Sequence, residues 1–148
     1  MPDQHANLVQ VRRTVSIHRP GDTHTHIFTL DEAFALFPLV QRLTAHAAKE
    51  LEPVGSALRE QGGDLKEIAR MEGRYESVVR AWTGKMERLG LVVKGLWLVD
   101  FDTGDGYLCW RYPETELSHY HSYHQGFSQR RPIKDVIIEQ HPSWAGPR

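Results

Sequence analysis

The residues best suited to chemistry in this chain are concentrated in the stretch 117–132, LSHYHSYHQGFSQRRP. Imidazole side chains titrate near neutral pH, whereas guanidinium groups keep their positive charge. A stretch that holds both kinds of group suits a metal ion or an anionic ligand. Two tyrosines lie among the histidines, so the chemistry-bearing residues are His119, Tyr120, His121, Tyr123, His124, Arg130 and Arg131.

Two of these histidines are spaced to bind one metal ion together. His119 and His121 lie two residues apart on a predicted strand, so their side chains project from the same face, roughly 6–7 Å apart along it. Both imidazoles could then bind one zinc or nickel ion, with Zn–N distances of about 2.0–2.1 Å. His124, Glu116 or a second subunit has to complete such a site. The alternative is an ordinary polar face of an edge strand.

A second arrangement joins His121 to Arg130. The guanidinium can hold a carboxylate or phosphate through two parallel hydrogen bonds, and Gly126 permits a turn that brings Arg130 back over the strand. Tyr120 or Phe127 supplies an apolar wall. This arrangement predicts a site for a small anionic ligand or for the carboxylate of a partner protein. In the structural alternative, the arginine fixes the chain end by bonding backbone carbonyls or a nearby carboxylate.

Catalysis is the third interpretation of the same residues. His121 can act as a general base oriented by Glu116 or Asp100, because the imidazole pKa lies near working pH. Asp100 is also the carboxylate that Arg130 bonds in the structural alternative. No serine or cysteine nucleophile has a recognisable setting, and Cys109, in the middle of a strand, is typical of inert core. We therefore expect a binding or accessory protein rather than an enzyme.

Length and composition narrow the class of protein. A chain of 148 residues is most simply one domain with a real core. Its 18 Lys and Arg against 19 Asp and Glu argue against a nucleic-acid binder. The single cysteine, Cys109, fits a reducing compartment. No apolar run approaches the roughly 20 residues that span a bilayer, and residues 1–26 lack the apolar core of a signal peptide. We expect a cytoplasmic protein without a membrane partner.

Two helices must precede the strands that carry these residues. Thr29–Glu32 is a capping box, and Asp64–Glu67 repeats its spacing. Apolar residues then recur at helical spacing, which predicts helices over about Leu30–Gln61 and Leu65–Leu89. Helices joined by so short a turn should pair as an antiparallel hairpin. The hairpin could also form the interface of a homodimer.

After Gly90 the apolar pattern changes to that of strands. The segments 91–99, 107–112 and 117–122 predict three strands joined by tight turns. The fold class is therefore α+β, with a long antiparallel helical hairpin packed on a small three-stranded antiparallel β-meander.

We expect three parts of the chain to differ in how well ordered their structure is. Residues 1–26 are expected to form a flexible N-terminal arm, residues 27–133 a single α+β domain, and residues 134–148 a C-terminal tail. In the tail, Val136-Ile137-Ile138 could add an edge strand or cover the sheet.

An ordered series of short blocks resembles the bacterial family called domain of unknown function 2203. The likeness runs from about residue 27 to residue 133. The blocks are Ile27–Ala33, Phe37–Val40, Gly95–Phe101, Gly106–Arg111, Tyr120-His121 and Gly126–Ile133. The family implies small bacterial proteins with a long helical hairpin and a short β-rich end, and it implies no established activity.

The resemblance also bears on which site residues matter. The family pattern covers Tyr120, His121 and Phe127, together with Gly126 and Arg130. His119 and His124 match no position of it. The resemblance therefore implies that a metal site built on all three histidines would be special to this chain.

Overall fold

The computed structural model of the chain describes residues 25–60 and 64–146. The arm expected at residues 1–26, except for Thr25 and His26, lies outside the described residues. Among these described residues, the elements run from two long helices through five strands to a short third helix.

The first helix, α1, is Leu30–Glu60, and the second, α2, is Leu65–Arg88. Both agree closely with the predicted helices. The two predicted caps form: the Glu32 N–H donates to Thr29 Oγ1 at 3.1 Å, and the Glu67 N–H donates to Asp64 Oδ1 at 2.8 Å. These bonds satisfy N–H groups that the first turn of a helix leaves without partners.

The two helices pack against each other in opposite directions. Arg74 on α2 donates to Glu50 on α1 at 2.9 Å, and the later Trp82 donates to the earlier Thr44 at 2.9 Å. Sequence position therefore rises along one helix as it falls along the other, so the predicted antiparallel hairpin is confirmed.

Gly90 turns the chain from α2 towards the sheet. Its φ of 89° lies in the left-handed region, where glycine carries no Cβ penalty. An added Cβ would lie 2.5 Å from the Cβ of His26, and the His26 N–H donates to the Gly90 carbonyl at 3.2 Å. The position therefore needs glycine for its backbone angle and for its contact with the segment before α1.

The sheet is a five-stranded antiparallel meander in which each strand pairs with the next along the chain. The three-stranded prediction is wrong in number, although the antiparallel order and the α+β class are confirmed. The strands are β1 (Val92–Gly95), β2 (Leu98–Asp102), β3 (Gly106–Arg111), β4 (His119–Ser122) and β5 (Arg131–Pro132).

One extra strand arises because the predicted first strand is a hairpin. Trp97 adopts φ of 61°, a left-handed conformation that bulky residues seldom take, and the chain reverses between Gly95 and Leu98. Its ring packs edge-to-face on Trp82 at 4.9 Å, and its carbonyl accepts from the Tyr112 N–H at 3.0 Å. These contacts offset the backbone strain.

The other extra strand and a third helix come from the last part of the chain. Arg131–Pro132 pairs with β4, and α3 (Ile133–Gln140) follows directly. The segment for which the sequence offered an edge strand or a cover is thus helical. Val136 is fully buried, and Trp144, beyond α3, stacks on Tyr120 with ring centroids 5.5 Å apart.

The sheet has an apolar inner face and a polar outer face, and both are buried near its centre. The inner face packs into the same core as the helices, and Trp82 and Trp110 are buried there. Residues two apart along a strand share a face. The alternate positions Asp100, Asp102, Tyr107, Cys109 and His121 therefore form the outer face.

Within residues 25–60 and 64–146, no helix is both long and apolar enough to cross a membrane. The long helices α1 and α2 carry charged side chains along their exposed faces.

Candidate functional site

Three adjacent strands bring Asp100, Cys109 and His121 together on the outer face of the sheet. Asp100 on β2 lies opposite Cys109 on β3, and His121 on β4 lies opposite Tyr107, two residues from the cysteine. One potential ligand atom from each of the three side chains lies within 4.8 Å of the other two. The residues are 0 %, 1 % and 3 % exposed, so the group is closed to solvent.

Both ring nitrogens of His121 face hydrogen-bond acceptors. Nδ1 lies 2.8 Å from the carbonyl oxygen of Ser122, and Nε2 lies 3.1 Å from Oδ2 of Asp100. An imidazole donates from both nitrogens only when it is protonated. Burial lowers the pKa of His121, but the hydrogen bond and charge of Asp100 and the Ser122 carbonyl outweigh it, so the pKa lies above its ordinary value.

The Asp100 carboxylate is incompletely satisfied. Its Oδ2 accepts from His121 and lies 4.0 Å from Nζ of Lys94. Its Oδ1 is buried and has no hydrogen-bond partner among the residues that the structure describes. A buried acceptor left in this way costs about 1–3 kcal/mol, and more when the group is charged. Each such atom in a folded protein calls for a physical explanation, such as a bound ion or water.

Cys109 is held as a neutral thiol. Burial raises its pKa, and the negative charge of Asp100 raises it further, while the nearby Arg130 acts in the opposite direction with a smaller effect. The thiolate is the nucleophilic form of cysteine. This environment therefore does not activate Cys109 for attack on a substrate.

Arg130 lies beside this group but is bonded to Glu114. Its two terminal nitrogens donate to the two Glu114 oxygens at 3.0 and 2.7 Å, and its guanidinium lies 3.9 Å above the Phe127 ring. Burial raises the pKa of Glu114, but the bonds from Arg130 and the Arg111 N–H lower it more, so the net pKa is below its usual value. The carboxylate that Arg130 holds is thus Glu114 rather than Asp100.

The four residues predicted to bind an anion do not all lie on the same face of the sheet. His121 and Arg130 both approach Cys109 on the outer face. Tyr120, its side chain on the opposite face of β4, belongs to the inner core and stacks on Trp144. Phe127 is 37 % exposed beside Arg130.

The predicted metal ligands do not form one group, although His119 lies opposite Cys109 in the pairing of β3 with β4. His119 Nδ1 lies 3.3 Å from the Ser118 hydroxyl, and with Glu116 it lines an apolar groove between α1 and α3. His124 is exposed on the loop after β4. In the described part of the chain, the group of three potential ligands contains His121 but none of these three residues.

Asp100 and Cys109 were not predicted from the sequence as candidate metal ligands. A signal was present, because Asp100 stands between Val99 and Phe101 in a predicted strand, an unusual place for a carboxylate. Alternation of side chains along the predicted strand 107–112 also places Cys109 on the face opposite Trp110. What was missing was the register that places both residues beside His121.

The fold and the site define the class of this protein: two long helices packed on a five-stranded antiparallel sheet, with a buried Asp–Cys–His group on the far face. The chain belongs to the family described as "Uncharacterized conserved protein (DUF2203)", whose model matches residues 26–133. The resemblance noted from the short blocks is therefore confirmed. Neither a curated protein nor a solved structure matches this chain.

Proposed function

We propose that this protein is a metal-binding accessory protein that holds one divalent ion of the zinc class between Asp100, Cys109 and His121. The observation that carries the proposal is the close approach, within 4.8 Å, of a carboxylate oxygen, a sulfur and an imidazole nitrogen at nearly complete burial. Zinc binds these three donor types in tetrahedral sites. Calcium and magnesium prefer oxygen donors in larger numbers, so a site containing a thiolate disfavours them.

The hydrogen bond at Nδ1 of His121 supports this proposal. Histidines that bind metals usually donate the other ring N–H to a carbonyl or a carboxylate, which fixes the ring. The Ser122 carbonyl, 2.8 Å from Nδ1, is such an acceptor and leaves Nε2 directed towards Asp100. A metal ion would replace the proton between these two side chains. It would also give the buried Oδ1 of Asp100 a neighbouring positive charge.

An enzyme that uses His121 as a general base has weaker support. Each ring nitrogen already faces an acceptor, so neither is available to take a proton from a substrate. A cysteine nucleophile has weaker support as well, because the Cys109 thiol is buried and its pKa is raised. The anionic-ligand hypothesis stays a prediction, and an anion at Arg130 would have to displace Glu114.

The experiment uses full-length protein without a histidine tag. Isothermal titration calorimetry with Zn²⁺ and with Ni²⁺ measures affinity, and Co²⁺ serves as a spectroscopic probe because thiolate ligation adds a charge-transfer band in the near ultraviolet. We expect one ion per chain and a Co²⁺ band that disappears in Cys109→Ser. Affinity should fall as pH falls, because protons compete for the ligands.

Matched variants separate this site from the three-histidine site. Asp100→Asn and His121→Gln should each reduce affinity by more than the roughly 10–100-fold that loss of an outer-shell partner costs, since each removes a ligand charge or a ligand. The double variant His119→Ala, His124→Ala should bind as wild type does. Absence of Zn²⁺ and Co²⁺ binding by wild type at neutral pH would refute the proposal. Binding that survives Cys109→Ser but is lost in the double variant would transfer the site to the histidines.

A further inference from the structure

The loop between β4 and β5, residues 123–130, has its two ends on either side of the candidate metal site on the outer face. It begins beside the row formed by Asp102 and Tyr107 and ends beside Cys109. An ion from solvent has no open path to ligands that are 0 %, 1 % and 3 % exposed. Some part of the molecule must therefore move before an ion can bind.

The first attachment of this loop is a tyrosine. The Tyr123 hydroxyl donates to Oδ1 of Asp102 at 2.6 Å, and its ring packs edge-to-face on Tyr107 at 5.0 Å. The Tyr107 ring in turn lies 5.5 Å from the His121 ring. Tyr123 thus closes the side of the site at which the histidine lies.

The second attachment is the Arg130–Glu114 pair at the other end of the loop. The two guanidinium bonds are 3.0 and 2.7 Å long, and the Arg130 side chain is only 11 % exposed. Phe127 lies between two cations, 3.9 Å from Arg130 and 5.2 Å from Arg111 of β3. This end of the loop lies beside the cysteine.

Between the two attachments the loop is exposed and bonded mainly to itself. Residues 124–129 are all exposed. The Gly126 N–H donates to Oε1 of Gln129 at 2.7 Å, and the Gln129 N–H donates to the Gly126 carbonyl at 3.0 Å. These bonds let the loop keep its shape while its ends separate from the sheet. The central strands, by contrast, are joined by backbone ladders on both sides.

We propose that loop 123–130 is a gate for the metal site, closed by the Tyr123–Asp102 bond and by the Arg130–Glu114 pair. The inference rests on the proposed metal function and concerns its regulation: the two attachments set how fast an ion enters and leaves. Opening either one uncovers the ligands without removing a ligand. Weakening an attachment should therefore raise the rates of binding and of release together and change the equilibrium Kd little.

The test is stopped-flow kinetics on full-length protein, with Zn²⁺ uptake and chelator-driven Zn²⁺ release followed separately. Tyr123→Phe removes one hydroxyl bond, and Glu114→Gln weakens the pair at the other end. We expect each variant to speed both steps by roughly two- to tenfold, the factor that corresponds to one net hydrogen bond. Arg74→Gln is the matched control, because it breaks an ion pair with Glu50 on the remote helical hairpin and should leave both rates unchanged.

The outcomes distinguish the gate from the metal site itself. If wild type binds no Zn²⁺, the metal function fails. If wild type binds Zn²⁺ but both gate variants exchange it at the wild-type rate, the gate is wrong while the metal site stands. A variant that speeds release alone and weakens Kd by the same factor would also overturn the gate, since the residue then stabilises the bound state.

Discussion

Asp100 and His121 act as a pair because neither side chain can be hydrated. The imidazole donates to the carboxylate at 3.1 Å, and both residues are almost fully buried. Removing one member of a buried pair leaves the other uncompensated, which commonly costs several kcal/mol. Substitutions that keep shape and hydrogen bonding, such as Asp100→Asn, are therefore better probes of metal binding than alanine.

One substitution distinguishes the two roles considered for Arg130, which are stabilising the fold through Glu114 and binding an anionic ligand. Arg130→Lys keeps the charge but loses the planar fork that makes two bonds to Glu114. If the arginine is structural, the variant should be less stable by roughly 1–2 kcal/mol, which thermal denaturation measures as a lower Tm. Small anions should then leave the difference in Tm between wild type and variant unchanged.

The anionic-ligand hypothesis expects a different result from the same melts. At least one compound in a panel of phosphates and carboxylates should raise the Tm of wild type more than that of Arg130→Lys. His121→Ala should reduce this stabilisation further. If no compound does so, Arg130 serves the fold through Glu114.

At the scale of elements, the pairing of β3 with β4 positions the histidine of the site. Gly106 begins β3 opposite Ser122, and the Tyr120 hydroxyl fills the space that a Cβ at Gly106 would occupy. The same Cβ would lie 2.8 Å from the carbonyl oxygen of His121. A side chain at this position would therefore push β4 away from β3.

Gly106→Ala should accordingly destabilise the protein by roughly 1–3 kcal/mol, the usual cost of overpacking. Urea denaturation followed by circular dichroism measures the change. Gly73→Ala on α2 is the control, because an added Cβ there meets nothing within 4 Å. Alanine is the better helix former, so that variant should be more stable by roughly 0.5–1 kcal/mol. Equal effects from both substitutions would contradict the close packing at Gly106.

At the scale of the whole molecule, the helical hairpin and the inner face of the sheet share one core. Trp82 on α2 joins the layers: its Nε1 donates to Thr44 on α1, and its ring packs on Trp97 before β2. Trp82 is 2 % exposed, so its removal would leave a large cavity and a buried hydroxyl without its donor. The homodimer through the hairpin remains a prediction.

Trp82→Ala should cost roughly 3–5 kcal/mol, the range for removing a large aromatic side chain from a core. The denaturant midpoint of unfolding measures the loss. Trp82→Phe keeps one aromatic ring and removes the N–H donor and part of the indole volume, so it should cost less than Trp82→Ala. A loss below about 1 kcal/mol in Trp82→Ala would show that the two layers pack independently of this residue.

The sequence by itself determined the elements that depend on neighbouring residues. Caps at Thr29 and Asp64 and the helical spacing of apolar residues predicted both long helices to within a residue or so. Alternation after Gly90 predicted an antiparallel meander, and the quoted blocks predicted the family that the comparison then matched. These features are predictable because capping bonds and side-chain periodicity act over a few residues.

Tertiary structure alone decided the strand count and the composition of the candidate site. Trp97 turns the chain because its ring and carbonyl have partners distant in sequence, and the single Gly95 before it is only a weak local turn signal. Asp100, Cys109 and His121 meet because the register aligns three strands, and all three side chains are almost fully buried there. Register and burial depend on contacts between distant segments, so local pattern could place His121 on a strand but could not identify its neighbours.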